Sequence, residues 1–253
     1  MTFPASATLP HIAGLAAAQI RRLLGRPEAT VTTRHPFDAI HGTDTAGLIY
    51  ADELGTGHAH DGHNEGYYAT APSLFAGALA QWRQTLNAGN VKDYAFVDLG
   101  CGKGRALLLA AELPFRSVRG IELNPQLVRI ARRNLRKWLR RPRACRGVAV
   151  ERGDVLDLQL PAGPVVLFLF NSFSAEVLAP LMERLTAAGR LRTAPIDLIY
   201  VHPDLDPLIT GALGTEPVCR AEIAFSAEDA AADVFQVAFD AVSIYRVPIS
   251  GLP

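Results

Sequence analysis

Val97-Asp98-Leu99-Gly100-Cys101-Gly102-Lys103-Gly104-Arg105 is the stretch whose reading decides the fold. It closes the short apolar run Tyr94–Leu99, which has the length of a strand, and opens a helical stretch over Arg105–Glu112. Glycines at such a junction let the backbone turn tightly and approach a ligand with no side chain in between. The amides that start the following helix offer donors and a positive dipole end to a carboxylate or phosphate. In open α/β sheets, ligands bind outside the carboxyl ends of the strands, where the strand order reverses.

The same rhythm continues downstream. Ser117–Leu123 reads as a second strand, after which Asn124 caps a helix that Pro125 opens. Val148–Glu151 and the wholly apolar Val165–Phe170 are a third and a fourth strand, a helix fits Ala175–Ala188, and Ile196–Val201 is a fifth strand. Short apolar strands separated by helices imply a parallel sheet covered on both faces. Two further strands, Val218–Phe225 and Val234–Val247, flank a short helix at Ser226–Ala232. The predicted fold is therefore α/β, a doubly wound, mostly parallel seven-stranded sheet.

A glycine loop alone leaves the ligand open. A nicotinamide fingerprint requires G-x-G-x-x-G/A; Gly100 and Gly102 match it, but Arg105 stands in the place of the third glycine. The pattern is instead D-x-G-x-G-x-G, and it resembles motif I of class I, Rossmann-like methyltransferases that use S-adenosylmethionine. The resemblance covers roughly residues 90–202 and has four stations in order. It implies that Asp98 serves the donor's amino group while the backbone of Gly100, Gly102 and Gly104 packs on its amino-acid part, with Cys101 a small residue tolerated in the loop. Glu122, followed by Leu123 at the end of the second strand, is the acid expected about 20 residues on for ribose hydroxyls. Asp154-Val155, after the third strand, is similar to the acidic loop that contacts the adenine amino group. Asn171, after the fourth strand, stands where some members carry an Asp/Asn-Pro-Pro-Tyr-like segment, although here Ser172 and Phe173 follow it. The implied activity is methyl transfer from S-adenosylmethionine to an oxygen, nitrogen or sulfur nucleophile of a small molecule or protein side chain. A nicotinamide-dependent oxidoreductase and a non-catalytic module that binds the donor or RNA are the alternatives.

Residues 1–90 read as a helical and loop cap and 91–253 as the donor-binding domain. The cap opens with a helix at about His11–Leu24, has an irregular stretch over 30–70, and ends in a helix from Pro72 to about Leu86 that buries Leu74, Phe75, Leu79 and Trp82. Within the irregular stretch, Tyr67 and Tyr68 read either as a closure over donor or acceptor or as core aromatics, and Tyr68 joins Asn171 as a candidate catalytic residue. His58-Ala59-His60-Asp61-Gly62-His63 has metal-ligand residue types at short spacing, but no hydrophobic strand precedes it; it reads as a polar loop over the site, with no metal assigned.

The 253 residues carry 25 basic and 25 acidic side chains, so net charge gives no reason to expect nucleic acid or an anionic membrane as partner. The basic run from Arg129 to Arg146 reads as a solvated helix face, with Leu127, Val128, Ala131, Leu135, Trp138 and Leu139 as its buried side. Three scattered cysteines predict a reduced, cytoplasmic protein. No apolar run is long enough to span a bilayer, and Arg21, Arg22 and Arg26 follow the first apolar stretch where a secretory signal would have them precede it.

Overall fold

The computed structural model describes residues 34–86, 89–145 and 147–249; the helix expected at His11–Leu24 lies outside them. Seven strands, β3 (Ala95–Leu99), β4 (Ser117–Glu122), β5 (Val148–Arg152), β6 (Val165–Phe170), β7 (Ile196–Val201), β8 (Cys219–Ala224) and β9 (Phe239–Arg246), form one sheet in the order β5-β4-β3-β6-β7-β9-β8. The five strands from β5 to β7 pair in parallel, and β9 alone runs against its neighbours. The chain moves outward through β3, β4 and β5, then returns to lay β6 on the other side of β3. That reversal opens the crevice where such folds bind ligands.

The sheet is buried on both faces because its central strands are apolar at every position except Asp98 of β3 and Asp197 of β7. Phe96, Val166, Phe168, Ile199 and Val201 face α2 (Pro72–Gln84), α3 (Arg105–Ala110) and α4 (Pro125–Trp138). Val97, Leu99, Leu167, Leu169, Leu198 and Tyr200 face α5 (Ala175–Gly189) and α6 (Asp206–Leu213). Each such aliphatic or aromatic side chain contributes roughly 1.5–3 kcal/mol on burial. Trp82 of α2 is fully buried, and its indole N–H donates to Asp197 Oδ2 at 2.9 Å. Arg246 Nε donates to Asp197 Oδ1 at 2.8 Å, so one buried carboxylate ties α2, β7 and β9 together.

Several boundaries differ from the sequence reading for local reasons. The irregular stretch contains α1 (Pro36–His41) and a small antiparallel pair, β1 (Leu48–Ile49) with β2 (Tyr67–Tyr68). Helix α2 stops at Gln84 because the Thr85 hydroxyl turns back to the Trp82 carbonyl at 2.7 Å. Strand β9 begins at Phe239, not Val234, because Asp233 accepts the amides of Phe235 and Val237 and holds that segment as a turn, with Gln236 at φ 56°. Helix α6 was not expected. Leu139 falls just past the end of α4 and is exposed, not buried. The Asn124 cap forms as expected, accepting the amides of Gln126 and Leu127. Four members of the basic run are engaged within the chain: Arg132 on the Val150 carbonyl, Arg133 on Asp44, Lys137 on the Gly42 carbonyl and Arg143 on Glu112. Among the described residues no helix is long and apolar enough to cross a membrane.

Candidate active site

Beyond β3 the backbone is left-handed at alternate residues, with φ of 76° at Gly100, 53° at Gly102 and 87° at Gly104. The amides of Gly100 and Cys101 both donate to the Ile121 carbonyl, at 3.0 and 2.9 Å, which folds the loop over the end of β4. A Cβ on Gly100 would lie 2.9 Å from that of Ser172, and one on Gly102 would lie 2.2 Å from the ring of Tyr67. Glycine is therefore required at both positions by conformation and by space. Cys101 is buried with its sulfur turned to Gly120, where a Cβ would meet it at 2.6 Å.

Two carboxylates stand on this loop. Glu122, at the end of β4, accepts the Gly102 amide at 2.9 Å and the Asn124 amide at 2.8 Å, fixing the loop to the start of α4. Burial still raises its pKa, against those backbone donors. Asp98 is 5 % exposed, and no described residue hydrogen-bonds its carboxyl group. Burial first, and the nearby Glu122 second, push its pKa up to about 8. A buried carboxylate without a partner costs folding free energy, and a cation beside it would remove that cost. Asp98 therefore fits the amino group of a methyl donor, and Glu122 keeps lone pairs free for ribose hydroxyls.

Asp154 caps the single helical turn Val155–Asp157, its Oδ1 accepting the Leu156 amide at 2.8 Å, while Val155 is buried and Leu123 half-buried beside it. The Gly153 amide donates to the Glu122 carbonyl at 3.1 Å, bringing this acid next to the previous one. Its Oδ2 faces His60 Nδ1 at 2.5 Å and His58 Nε2 at 3.8 Å. These three groups have the residue types of a cation site. However, His58 Nδ1 accepts the His60 amide at 3.2 Å. A neutral His58 then carries its proton on Nε2, which makes it a donor toward Asp154 and not a ligand. The arrangement is a carboxylate held between two imidazoles. It docks residues 58–65 over the site, along with the Glu65 amide on the Ser172 carbonyl (3.0 Å) and the Ser174 amide on the His63 carbonyl (2.9 Å).

The loop's own cations turn away from the crevice. Arg105, 3 % exposed, donates to Thr45 Oγ1 at 2.7 Å and lies 3.5 Å from Asp38, so it binds the preceding segment and does not crowd a ligand. Lys103 donates to the Ala46 carbonyl at 2.7 Å, and Asn134, fully buried in α4, joins the carbonyls of Lys103 and Asp44. Asn134 escaped the sequence reading; a lone polar residue on the apolar face of a helix was the available signal.

Residues 96–189 match the family profile described as a methyltransferase domain. Over that stretch the chain is similar to methyltransferase domains. The match favours a methyl donor over nicotinamide, between which the glycine spacing alone left a choice. Among solved structures, the chain is similar to an RNA methyltransferase from Salinibacter ruber in complex with S-adenosylhomocysteine, at 19% identity and TM-score 0.45, over 73% of this chain and 95% of that one. It is also similar to the geranyl diphosphate C-methyltransferase of Streptomyces coelicolor, at 16% identity and TM-score 0.47, over 68% and 76% of the two chains. A third is a putative RNA methyltransferase from Pyrococcus horikoshii, at 17% identity and TM-score 0.46, over 68% and 83%. No curated protein sequence matches the chain.

On the other side of the crevice, β6 and β7 end side by side, with Phe170 paired to Val201. The next residue of each strand is left-handed, Asn171 at φ 34° and His202 at φ 54°. Asn171 Nδ2 donates to Asp204 Oδ2 at 3.1 Å, and its Oδ1 accepts the Tyr200 hydroxyl at 2.8 Å. His202 Nδ1 lies 3.0 Å from Asp240, and its Nε2 lies 3.6 Å from Asp204. The two tyrosines of β2 divide. Tyr67 is buried on the glycine loop and donates to the Thr45 carbonyl, whereas Tyr68 stands edge-on to Phe170 and donates to Asp233. His202, Asp204 and Asp240 were not singled out in the sequence. The signal was there: His202-Pro203-Asp204 directly follows an apolar strand, at the sheet end where ligands bind.

Proposed function

We propose that this domain moves a methyl group from S-adenosylmethionine to a nucleophile of a small molecule or protein side chain, held where β6 and β7 end. The donor supplies a methyl group already activated on a sulfonium, so the chain's task is to orient the partners and exclude water. Asp98 and the backbone of Gly100, Cys101, Gly102 and Gly104 take the amino-acid part, Glu122 with Leu123 the ribose, and Asp154 with Val155 the adenine. Asn171 and Tyr68 line the acceptor side. Residues 91–253 form the donor-binding unit, and the chain up to residue 90 is its cap. The engagement of Arg132, Arg133, Lys137 and Arg143 within the fold supports such an acceptor over RNA.

The observation that carries this reading is the buried carboxyl of Asp98, without a hydrogen-bond partner among the described residues, beside two glycines, Gly100 and Gly102, that leave no room for a Cβ. Calorimetric titration with S-adenosylhomocysteine tests it. Saturable binding is expected, weakened at least tenfold in Asp98→Ala, which removes a charge-assisted contact of about 1.5–3 kcal/mol. Binding that ignores Asp98→Ala would overturn the assignment.

A further inference from the structure

The acceptor side of the crevice has a composition of its own. Tyr68, Phe170 and Phe235 form an aromatic wall, with ring centroids 5.8 Å apart for Tyr68 and Phe170 and 5.5 Å for Tyr68 and Phe235. Phe235 is 48 % exposed, so the wall is open to solvent. One residue past Val201, the strand partner of Phe170, the His202 imidazole lies between Asp240 of β9 and Asp204 of the turn after β7. Glu65 of the docked segment and Asp233 beside Tyr68 complete the rim. The charges that act on these groups are all negative: Asp204 on Glu65, Asp240 and Asp204 on His202, and Asp240 on Asp233. Ser172, the neighbour of Asn171, lies over Gly100, where an added Cβ would come within 2.9 Å of its own, so this rim adjoins the glycine loop.

Aromatic faces and carboxylates together attract a cation, and an imidazole held by a carboxylate accepts protons. The geometry points to an alkylammonium acceptor, seated against the Tyr68–Phe170–Phe235 wall, whose proton passes to His202 positioned by Asp240. This inference rests on the reading that the glycine loop holds the methyl donor.

The balance is as follows. The ammonium nitrogen loses one proton to the neutral His202 ring and so gains a free electron pair. That pair forms the bond to the methyl carbon as the carbon's bond to sulfur breaks, the bonding electrons staying on sulfur. The products are a methylated ammonium and a thioether, and His202 returns its proton to water. Hydrogen bonding to Asp240 raises the His202 pKa against burial, and Asp204 adds to the rise, which suits a proton acceptor. A neutral hydroxyl or thiol acceptor would gain nothing from the four surrounding carboxylates.

The test uses full-length protein saturated with S-adenosylhomocysteine. Two probes are compared, benzyltrimethylammonium and its neutral isostere neopentylbenzene. The cation is expected to bind about tenfold more tightly, and Asp204→Asn or Asp233→Asn to remove most of that preference, because a single cation–aromatic or carboxylate contact is worth about one such factor. Equal binding of the two probes, preference for the neutral one, or no binding of either overturns the proposal. Separately, the His202 ring is followed by proton NMR against pH. Its midpoint is expected above the usual 6.5 and lower in Asp240→Asn; an unmoved midpoint removes the positioning role. Binding of S-adenosylhomocysteine is measured in every variant, so loss of the donor reading shows as failure there, whatever the probes do.

Discussion

Two residues of the loop carry the sharpest energetic statements. Asp98 has its pKa pushed up to about 8, against about 4 in an unfolded chain. The folded protein therefore keeps a proton that the unfolded chain has lost, and linkage makes stability fall as pH rises from about 4 to about 8. Asp98→Asn removes that contribution. Its melting temperature, measured without donor, is expected to gain on the wild type steadily between about pH 5 and pH 8; parallel curves would show that the carboxyl is not buried as described. Gly102→Ala meets two penalties. A left-handed alanine costs about 1–3 kcal/mol, and its Cβ would collide with Tyr67 at 2.2 Å. Combining it with Tyr67→Ala should recover the collision but not the backbone strain, so denaturant midpoints of the four proteins should show coupling. Additive losses would mean that the ring does not stand on the glycine.

At the scale of elements, the histidine loop and α2 behave differently. Residues 58–65 are held over the crevice by His60 on Asp154 and by backbone bonds to 172–174. His60 is about a third exposed, so its ion pair is worth at most about 1 kcal/mol. His60→Ala is expected to speed amide exchange in residues 56–65 several-fold while leaving the global melting temperature almost unchanged. Exchange that spreads into β3 or β6 would show instead that the loop is part of the core. Helix α2 does belong to the core. Trp82→Ala is expected to cost about 3–5 kcal/mol by urea titration, because the cavity is internal and Asp197 loses its indole donor. A loss below about 1 kcal/mol would contradict that packing.

At the scale of the whole molecule, a buried junction joins α1 and the turn after it to the start of α3. Asp38 accepts Thr43 Oγ1 at 2.6 Å, Thr45 Oγ1 at 2.7 Å and the Ala46 amide at 2.7 Å, and lies beside Arg105. Burial works against its ionised form, but these donors and Arg105 win and hold its pKa below the usual value. Arg105→Ala leaves that carboxylate buried without its cation, which typically costs about 3–5 kcal/mol. The expected outcome is a single cooperative transition at lower denaturant, with cap and domain unfolding together. Two separate transitions would show the cap to be an independent unit.

The sequence by itself determined the succession of the seven strands of the large sheet and the glycine loop. The reason is that β3, β6 and β7 are buried on both faces, which demands apolar residues at every position but Asp98 and Asp197, and that left-handed turns demand glycine at 100, 102 and 104. Both requirements are local and leave their mark residue by residue. What tertiary structure alone decided is the company each polar group keeps. Arg105 looked like an obstacle to a ligand and proved to be an anchor for Asp38 and Thr45. His58 and His60 read as part of a polar loop over the site, and only the fold shows that they face Asp154; His202 acquired its meaning only when β9 brought Asp240 to it. Such pairings join residues up to about a hundred positions apart, and electrostatic and hydrogen-bond energies depend on that spatial proximity, which no local pattern records.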